Sequence, residues 1–197
     1  MTVTSLQLEL DLTNKMKEVF LEHRDIELVK MISIARDVTN RMRNAKDLRG
    51  SPNREIGYQG LLGEYAFAKK LNLFLNLTLE IDARDHYIDF DLPNGKTCDV
   101  KTTQVGGESL NVNASKKDHP DIYVLAMVST KEEVYDNKMQ RWAEKEVYPP
   151  KVYMYGWISS DDFLRESKLI RPKHGTPFHA LPITELNTRF TKKLFMR

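Results

Sequence analysis

One stretch of the sequence, DFDLPNGKTCDVK at residues 89–101, restricts the possible folds of this chain more than any other. PNG at residues 93–95 predicts a three-residue turn, and the length of the turn sets the register of a hairpin. This register places Asp89 opposite Asp99 and gives the hairpin one apolar face and one carboxylate-rich face. A two-residue turn would place Phe90 opposite Asp99 and mix the faces, so the pattern favours the first register.

Two aspartates in direct opposition need a cation. Opposed Cβ atoms on antiparallel strands lie about 4.5 to 5.5 Å apart, and like charges there destabilise the sheet. A divalent ion between Asp89 and Asp99 would offset the repulsion, and oxygen ligands favour magnesium or manganese over zinc or copper. Lys101 lies two residues beyond Asp99 on the same face, so a structural ion pair is the alternative explanation.

Glu64 lies in the stretch GLLGEYAFAKKL, whose pattern predicts a helix over residues 57–72. Its neighbours at spacings of three, four and seven are apolar, namely Leu61, Phe67, Ala68 and Leu71. An ionised carboxylate without a partner is too costly on such a face. Glu64 therefore lies at the edge of the core or also reaches a cation, and we expect the cation.

These residues resemble the motif of the PD-(D/E)XK nuclease superfamily. The resemblance rests on Gly63-Glu64, on Asp89 and on DVK at Asp99 to Lys101, and it covers about residues 54–166. Two departures are that an isoleucine, not a proline, precedes Asp89, and that Asp91 is a rival for the first acid.

The resemblance implies an α/β fold with a restriction-endonuclease-like core, in which helices flank a mixed central sheet. We expect one domain over residues 1–197, with an N-terminal strand and helical extension at 1–48, the core at 54–166 and a C-terminal extension at 167–197.

The resemblance also implies a chemistry. Asp89, Asp99, the Val100 carbonyl and Glu64 would hold Mg²⁺, with Mn²⁺ as a substitute, and Lys101 would assist the attacking water. The implied activity is that of a Mg²⁺-dependent (endo)deoxyribonuclease of a small phage or mobile-element type. A junction resolvase, a non-catalytic nucleic-acid-binding module and a structural subunit are the alternatives.

Several polar residues are candidates for contact with DNA. Basic side chains are frequent between residues 36 and 54, although a solvated helix face is the favoured explanation for them. For Gln104, Lys116 and Lys117, the alternative is that they are ordinary exposed residues without a role in DNA binding. The candidates are Arg41, Arg43, Arg49, Arg54, Gln104, Lys116 and Lys117.

Composition excludes some classes of protein. The net charge of +2 means that affinity for DNA must come from a local patch. One cysteine and five scattered histidines argue against a disulfide framework or a zinc site. The N-terminus lacks a signal-like stretch and no run is long enough to span a bilayer, so we expect a cytoplasmic protein, in the host cytoplasm if phage-encoded.

The remaining elements follow from periodicity. Alternating leucines over residues 6–12 predict a strand that pairs with a sheet edge, in this chain or in a homodimer. A helical pattern runs from there to Lys46. Strands are predicted around residues 86–92, 96–103, 121–128 and 152–158, with loops at 105–120 and 171–177. The charged stretch between the last two strands predicts a surface helix or a hairpin, with a mobile insert as the alternative.

Overall fold

The structure is a computed structural model that describes residues 17–42, 53–75, 88–136, 141–190 and 192–195. Its elements, in chain order, are β1 (Lys17–Val19), α1 (His23–Met42), α2 (Asn53–Leu71), β2 (Phe90–Asp91), β3 (Thr97–Gln104), β4 (Ser109–Asn113), β5 (Ile122–Asp136), β6 (Arg141–Ser159), α3 (Ser160–Glu166), β7 (Lys168–Ile170), β8 (Phe178–Pro182), a 3₁₀ turn (Ile183–Glu185) and α4 (Lys192–Phe195).

The centre of the fold is a mixed five-stranded sheet in the order β1-β6-β5-β3-β2. Strands β3 and β5 are parallel, and the other neighbours are antiparallel. This confirms the α/β class and the mixed sheet. A second sheet of three strands, in the order β4-β8-β7, accompanies it.

Both faces of the central sheet are buried, because side chains of a strand alternate between its faces. Along β5, Val124, Ala126 and Val128 pack in a first core with α1 and α2, whereas Leu125 and Met127 pack in a second core. The second core also contains apolar residues of β4, β8 and α3, namely Leu110, Val112, Leu181 and Phe163. The run of apolar residues in β5 therefore reflects a strand covered on both sides.

Several predicted elements are confirmed and others are corrected. Strands β5 and β6 form one long antiparallel hairpin, which confirms the hairpin interpretation of the charged stretch. Ser159 caps α3 by accepting the Asp162 N–H at 3.2 Å. The helical prediction is wrong at Lys17–Val19, which pairs with β6 as a strand. Strand β4 lies in a predicted loop, and the alternating segment 6–12 lies outside the described residues.

No helix in the described ranges combines the length and the apolar character that crossing a membrane requires.

A buried carboxylate fastens α1 to α2. Asp25 accepts the Glu22 N–H at 2.8 Å, the Tyr65 hydroxyl at 2.7 Å and the Lys69 ammonium at 2.5 Å. Burial alone would raise the pKa of Asp25, but the hydrogen bonds from Lys69, Tyr65 and Glu22 outweigh it and lower the pKa below 3.8. The ionised form is therefore the one that the fold stabilises.

We expect Asp25→Asn to lower the free energy of unfolding by about 1 to 3 kcal/mol at neutral pH, because donors that need the carboxylate stay buried. A lowered pKa contributes stability above the unfolded value and loses it as the pH falls through the folded value. The difference in the free energy of unfolding between Asp25→Asn and the wild type, measured by urea denaturation, should therefore be smaller at acidic pH. Glu27→Gln, at an exposed ion pair, is the control, and an equal loss there would contradict this account.

Candidate active site

The β2–β3 hairpin has the predicted register. Phe90 pairs with Cys98, and Asp91 pairs with Thr97. The turn is closed by the Leu92 N–H, which donates to the Lys96 carbonyl at 2.7 Å. Gly95 adopts a φ of 84°, which suits glycine at the end of a three-residue turn.

The carboxylate of Asp89 is bound at the edge of β3. The Val100 N–H donates to Asp89 Oδ2 at 2.7 Å. If the antiparallel ladder continued, this N–H would donate to the carbonyl of Ile88, so the side chain replaces a backbone acceptor. Burial raises the pKa of Asp89 well above 3.8, and the negative charges of Glu64 and Asp99 raise it further. Asp89 thus lies within electrostatic reach of both other acids.

Asp99 is buried, with 1% of its side chain exposed, and both of its oxygens accept ammonium groups. Lys101 Nζ lies 2.7 Å from Oδ1, and Lys116 Nζ lies 2.5 Å from Oδ2. The Lys116 side chain is also 1% exposed, and its Nζ lies 5.1 Å from the centroid of the Tyr123 ring. The interpretation of Lys116 as an exposed lysine is therefore wrong, and its ammonium group faces Asp99 instead of solvent.

Glu64 lies at the edge of the first core. Its side chain is 16% exposed, and Arg36 Nη1 of α1 lies 3.2 Å from Glu64 Oε2. Sequence reasoning left open whether Glu64 lies at the core edge or reaches a cation. The structure shows Glu64 at the core edge, paired with the Arg36 guanidinium group, and its binding of a metal ion stays a prediction.

Gly63 explains how Glu64 comes close to the sheet. A Cβ at Gly63 would overlap Thr102 Oγ1 and would lie 3.0 Å from the Ala126 Cβ, so α2 packs on the sheet without a side chain at this point. Thr102 Oγ1 also donates to the Gly60 carbonyl at 3.3 Å. The glycine before the glutamate is required by this close approach.

Gly63→Ala should lower the free energy of unfolding by about 1 to 3 kcal/mol, because the added methyl group overpacks the contact between α2 and β3. Gly57→Ala is the matched control on the same helix, since a Cβ there meets nothing within 4 Å. That variant should gain about 0.5 to 1 kcal/mol from its better helix propensity. Chemical denaturation measures the free energy of unfolding of both variants. Equal changes in the two variants would show that Gly63 is not in contact with the sheet.

The three acids do not lie on one face of the sheet. Asp99 and Lys101 pair with Tyr123 and Leu125 in the β3–β5 register, so they point to the second core. Glu64 belongs to α2, which covers the first core. Glu64 and Asp99 therefore approach Asp89 from opposite faces of the central sheet.

Within the described ranges, no three His, Cys, Asp or Glu side chains are arranged to hold a metal ion as they stand. The expected ligand set, Asp89, Asp99, Glu64 and the Val100 carbonyl, is therefore not preassembled among the described residues. In an extended strand the N–H and the carbonyl of one residue point to the same side. The Val100 carbonyl is therefore directed to the side on which its N–H meets Asp89.

The other candidate residues lie at the periphery or outside the description. Gln104, at the end of β3, and Lys117 are exposed. Arg41 and Arg54 belong to α1 and α2, but their side chains are not among those described, and Arg43 and Arg49 lie outside the described residues.

No protein-family model, curated protein or solved structure matches this chain.

Proposed function

We propose that the protein is a metal-dependent nuclease that hydrolyses phosphodiester bonds in DNA, on a fold of the restriction-endonuclease type. One observation carries the proposal. The Val100 N–H binds Asp89 Oδ2 at 2.7 Å, and the residues on either side of Val100, Asp99 and Lys101, are paired with each other at 2.7 Å. An acid directly before β2 thus meets an acid-x-Lys sequence on β3.

The candidate ligand atoms are of the type that a hard divalent cation prefers. Asp89, Asp99 and the Val100 carbonyl supply only oxygen, which Mg²⁺ and Mn²⁺ prefer, and Glu64 is the additional acid. Burial and, after it, the negative charges of Glu64 and Asp99 raise the pKa of Asp89, and a cation would relieve the repulsion among these charges. Such an ion supplies polarisation of the scissile phosphate and a water of lowered pKa.

The protein's own residues would orient the acids and the attacking water. The Val100 N–H fixes the orientation of the Asp89 carboxylate, and Arg36 fixes that of Glu64. Lys101 is 34% exposed, so its ammonium group can turn from Asp99 to a water or a phosphate oxygen. A compact ammonium group is suited to orienting that water and to stabilising the negative charge that develops on the phosphoryl oxygens.

A second candidate is a non-catalytic nucleic-acid-binding module. The observation that favours it is that the acids already have partners. Asp99 binds two ammonium groups and Glu64 binds a guanidinium group. In such a module these pairs would only hold the hairpin, and divalent ions would have no effect.

The test is incubation of the purified protein with plasmid, linear duplex, single-stranded DNA and RNA, in Mg²⁺, in Mn²⁺ and in chelator. We expect cleavage of DNA with either metal and none with chelator. Lys101→Met, which keeps the proposed metal ligands, is the control against a contaminating nuclease. Binding of DNA without cleavage under every condition would support the binding module, and equal cleavage by Lys101→Met would reject the proposed site.

A further inference from the structure

Lys116 lies outside the acid-x-Lys sequence but inside the site. It belongs to the connection between β4 and β5, where its N–H donates to the Asn113 carbonyl at 3.2 Å. The neighbouring Ala114 N–H donates to the Pro177 carbonyl at 3.0 Å, so the second sheet holds this turn in place. The turn thereby delivers the ammonium group to the Asp99 carboxylate.

The two lysines that bind Asp99 differ in how easily their ammonium groups can move away from its carboxylate. The Lys101 side chain is 34% exposed, whereas the Lys116 side chain is 1% exposed. An ammonium group that turns from a carboxylate into water regains its hydration, but one that stays buried without a carboxylate does not. Any ligand that needs one oxygen of Asp99 therefore displaces Lys101 at far lower cost than Lys116.

We propose that Lys116 is a positioning residue of the site, which keeps Asp99 Oδ2 while a divalent cation takes Oδ1 and releases Lys101. This inference rests on the proposed nuclease function and adds an order of events to it. The cation that binds Asp99 also frees the lysine that the attacking water needs, so Lys101 acts only when the ion is present. Lys116 keeps the carboxylate in one orientation throughout.

The test is NMR of the lysine side chains in the full chain at mildly acidic pH, with MgCl₂ added stepwise. The Nζ and Cε signals are assigned with Lys101→Met and Lys116→Met, and Lys116→Arg replaces the latter if it does not fold. We expect the Lys101 signals to shift in proportion to bound Mg²⁺. The Lys116 ammonium protons should stay protected from exchange with water.

Cleavage gives a second measurement. Folded Lys116→Met should lose about 10- to 100-fold in kcat, the usual effect of a group that orients a metal ligand. Lys173→Met, at an exposed position in the loop before β8, should stay within about twofold of the wild type.

The outcomes distinguish the two proposals. Loss of protection at Lys116 on addition of Mg²⁺, or full kcat in folded Lys116→Met, would overturn the positioning role and leave the nuclease proposal standing. If Mg²⁺ moves neither lysine and no cleavage is seen, the nuclease proposal fails and the inference fails with it.

Discussion

Replacing Asp99 by asparagine is expected to abolish cleavage and to lower the free energy of unfolding by about 3 to 5 kcal/mol, the cost of breaking a buried ion pair from one side. The reason is that Lys116, buried as deeply as Asp99, loses its carboxylate. Cleavage should fall by about 10³-fold or more, because a metal ligand and several kcal/mol of transition-state stabilisation are lost. Urea denaturation and a plasmid assay measure the two effects.

The double variant Asp99→Asn/Lys116→Met separates the two losses. It removes both buried charges, so it should recover much of the stability of the wild type while remaining inactive. DNA binding should persist in it, since phosphate contacts from other basic residues would supply most of the affinity. If Asp99→Asn melted higher than the wild type, the hairpin acids would be a repulsive pair that the lysines do not compensate.

The hairpin register was predictable from sequence because its determinants are local. The turn at residues 93–95 and the alternation of polar and apolar residues on each side fix which residues pair. The same holds for α2, whose apolar spacing predicted a helix with Leu61 and Phe67 in the core. Local patterns therefore predicted three of the four motif residues on the elements that carry them, Glu64 on α2 and Asp99 and Lys101 on β3. Asp89, predicted inside a strand over residues 86–92, lies directly before β2.

The partners of those residues were not predictable in the same way. Lys116 and Lys117 are adjacent and chemically identical, yet the first is buried and the second is exposed. The difference arises because β4 pairs with β8, about 70 residues further along the chain. Strand β4 itself has five residues, too few for its alternation to be distinguished from a polar loop.

These partners change the electrostatics that the sequence suggested. The motif alone predicts three carboxylates whose repulsion is offset by a metal ion or, in part, by an ion pair with Lys101. The structure adds Arg36 at Glu64 and Lys116 at Asp99, so a divalent cation must compete with bound side chains. Affinity for Mg²⁺ then depends on how readily Lys101 leaves, and Lys101→Met should bind the ion more tightly than the wild type does.

Asp89→Asn should also reduce cleavage by about 10³-fold or more, but without the loss of stability that we expect for Asp99→Asn. Burial, Glu64 and Asp99 raise the pKa of Asp89 above 3.8, so the folded protein holds a proton that the unfolded chain releases. Stability therefore falls as the pH rises from about 4 through the raised pKa. An amide carries no charge and can still accept the Val100 N–H, so the variant should be at least as stable as the wild type at neutral pH.

Asp91→Asn is the matched control, because Asp91 is exposed, lies on β2 two residues from Asp89 and pairs with Thr97 of β3. It should keep its activity and its thermal stabilisation by Mg²⁺, whereas Asp89→Asn should lose both. The stabilisation of the wild type should be larger at about pH 8 than at about pH 5, since a cation gains most where the Asp89 carboxyl is ionised. A greater loss of cleavage in Asp91→Asn would assign the metal to the other strand acid and contradict the role given to the Val100 N–H.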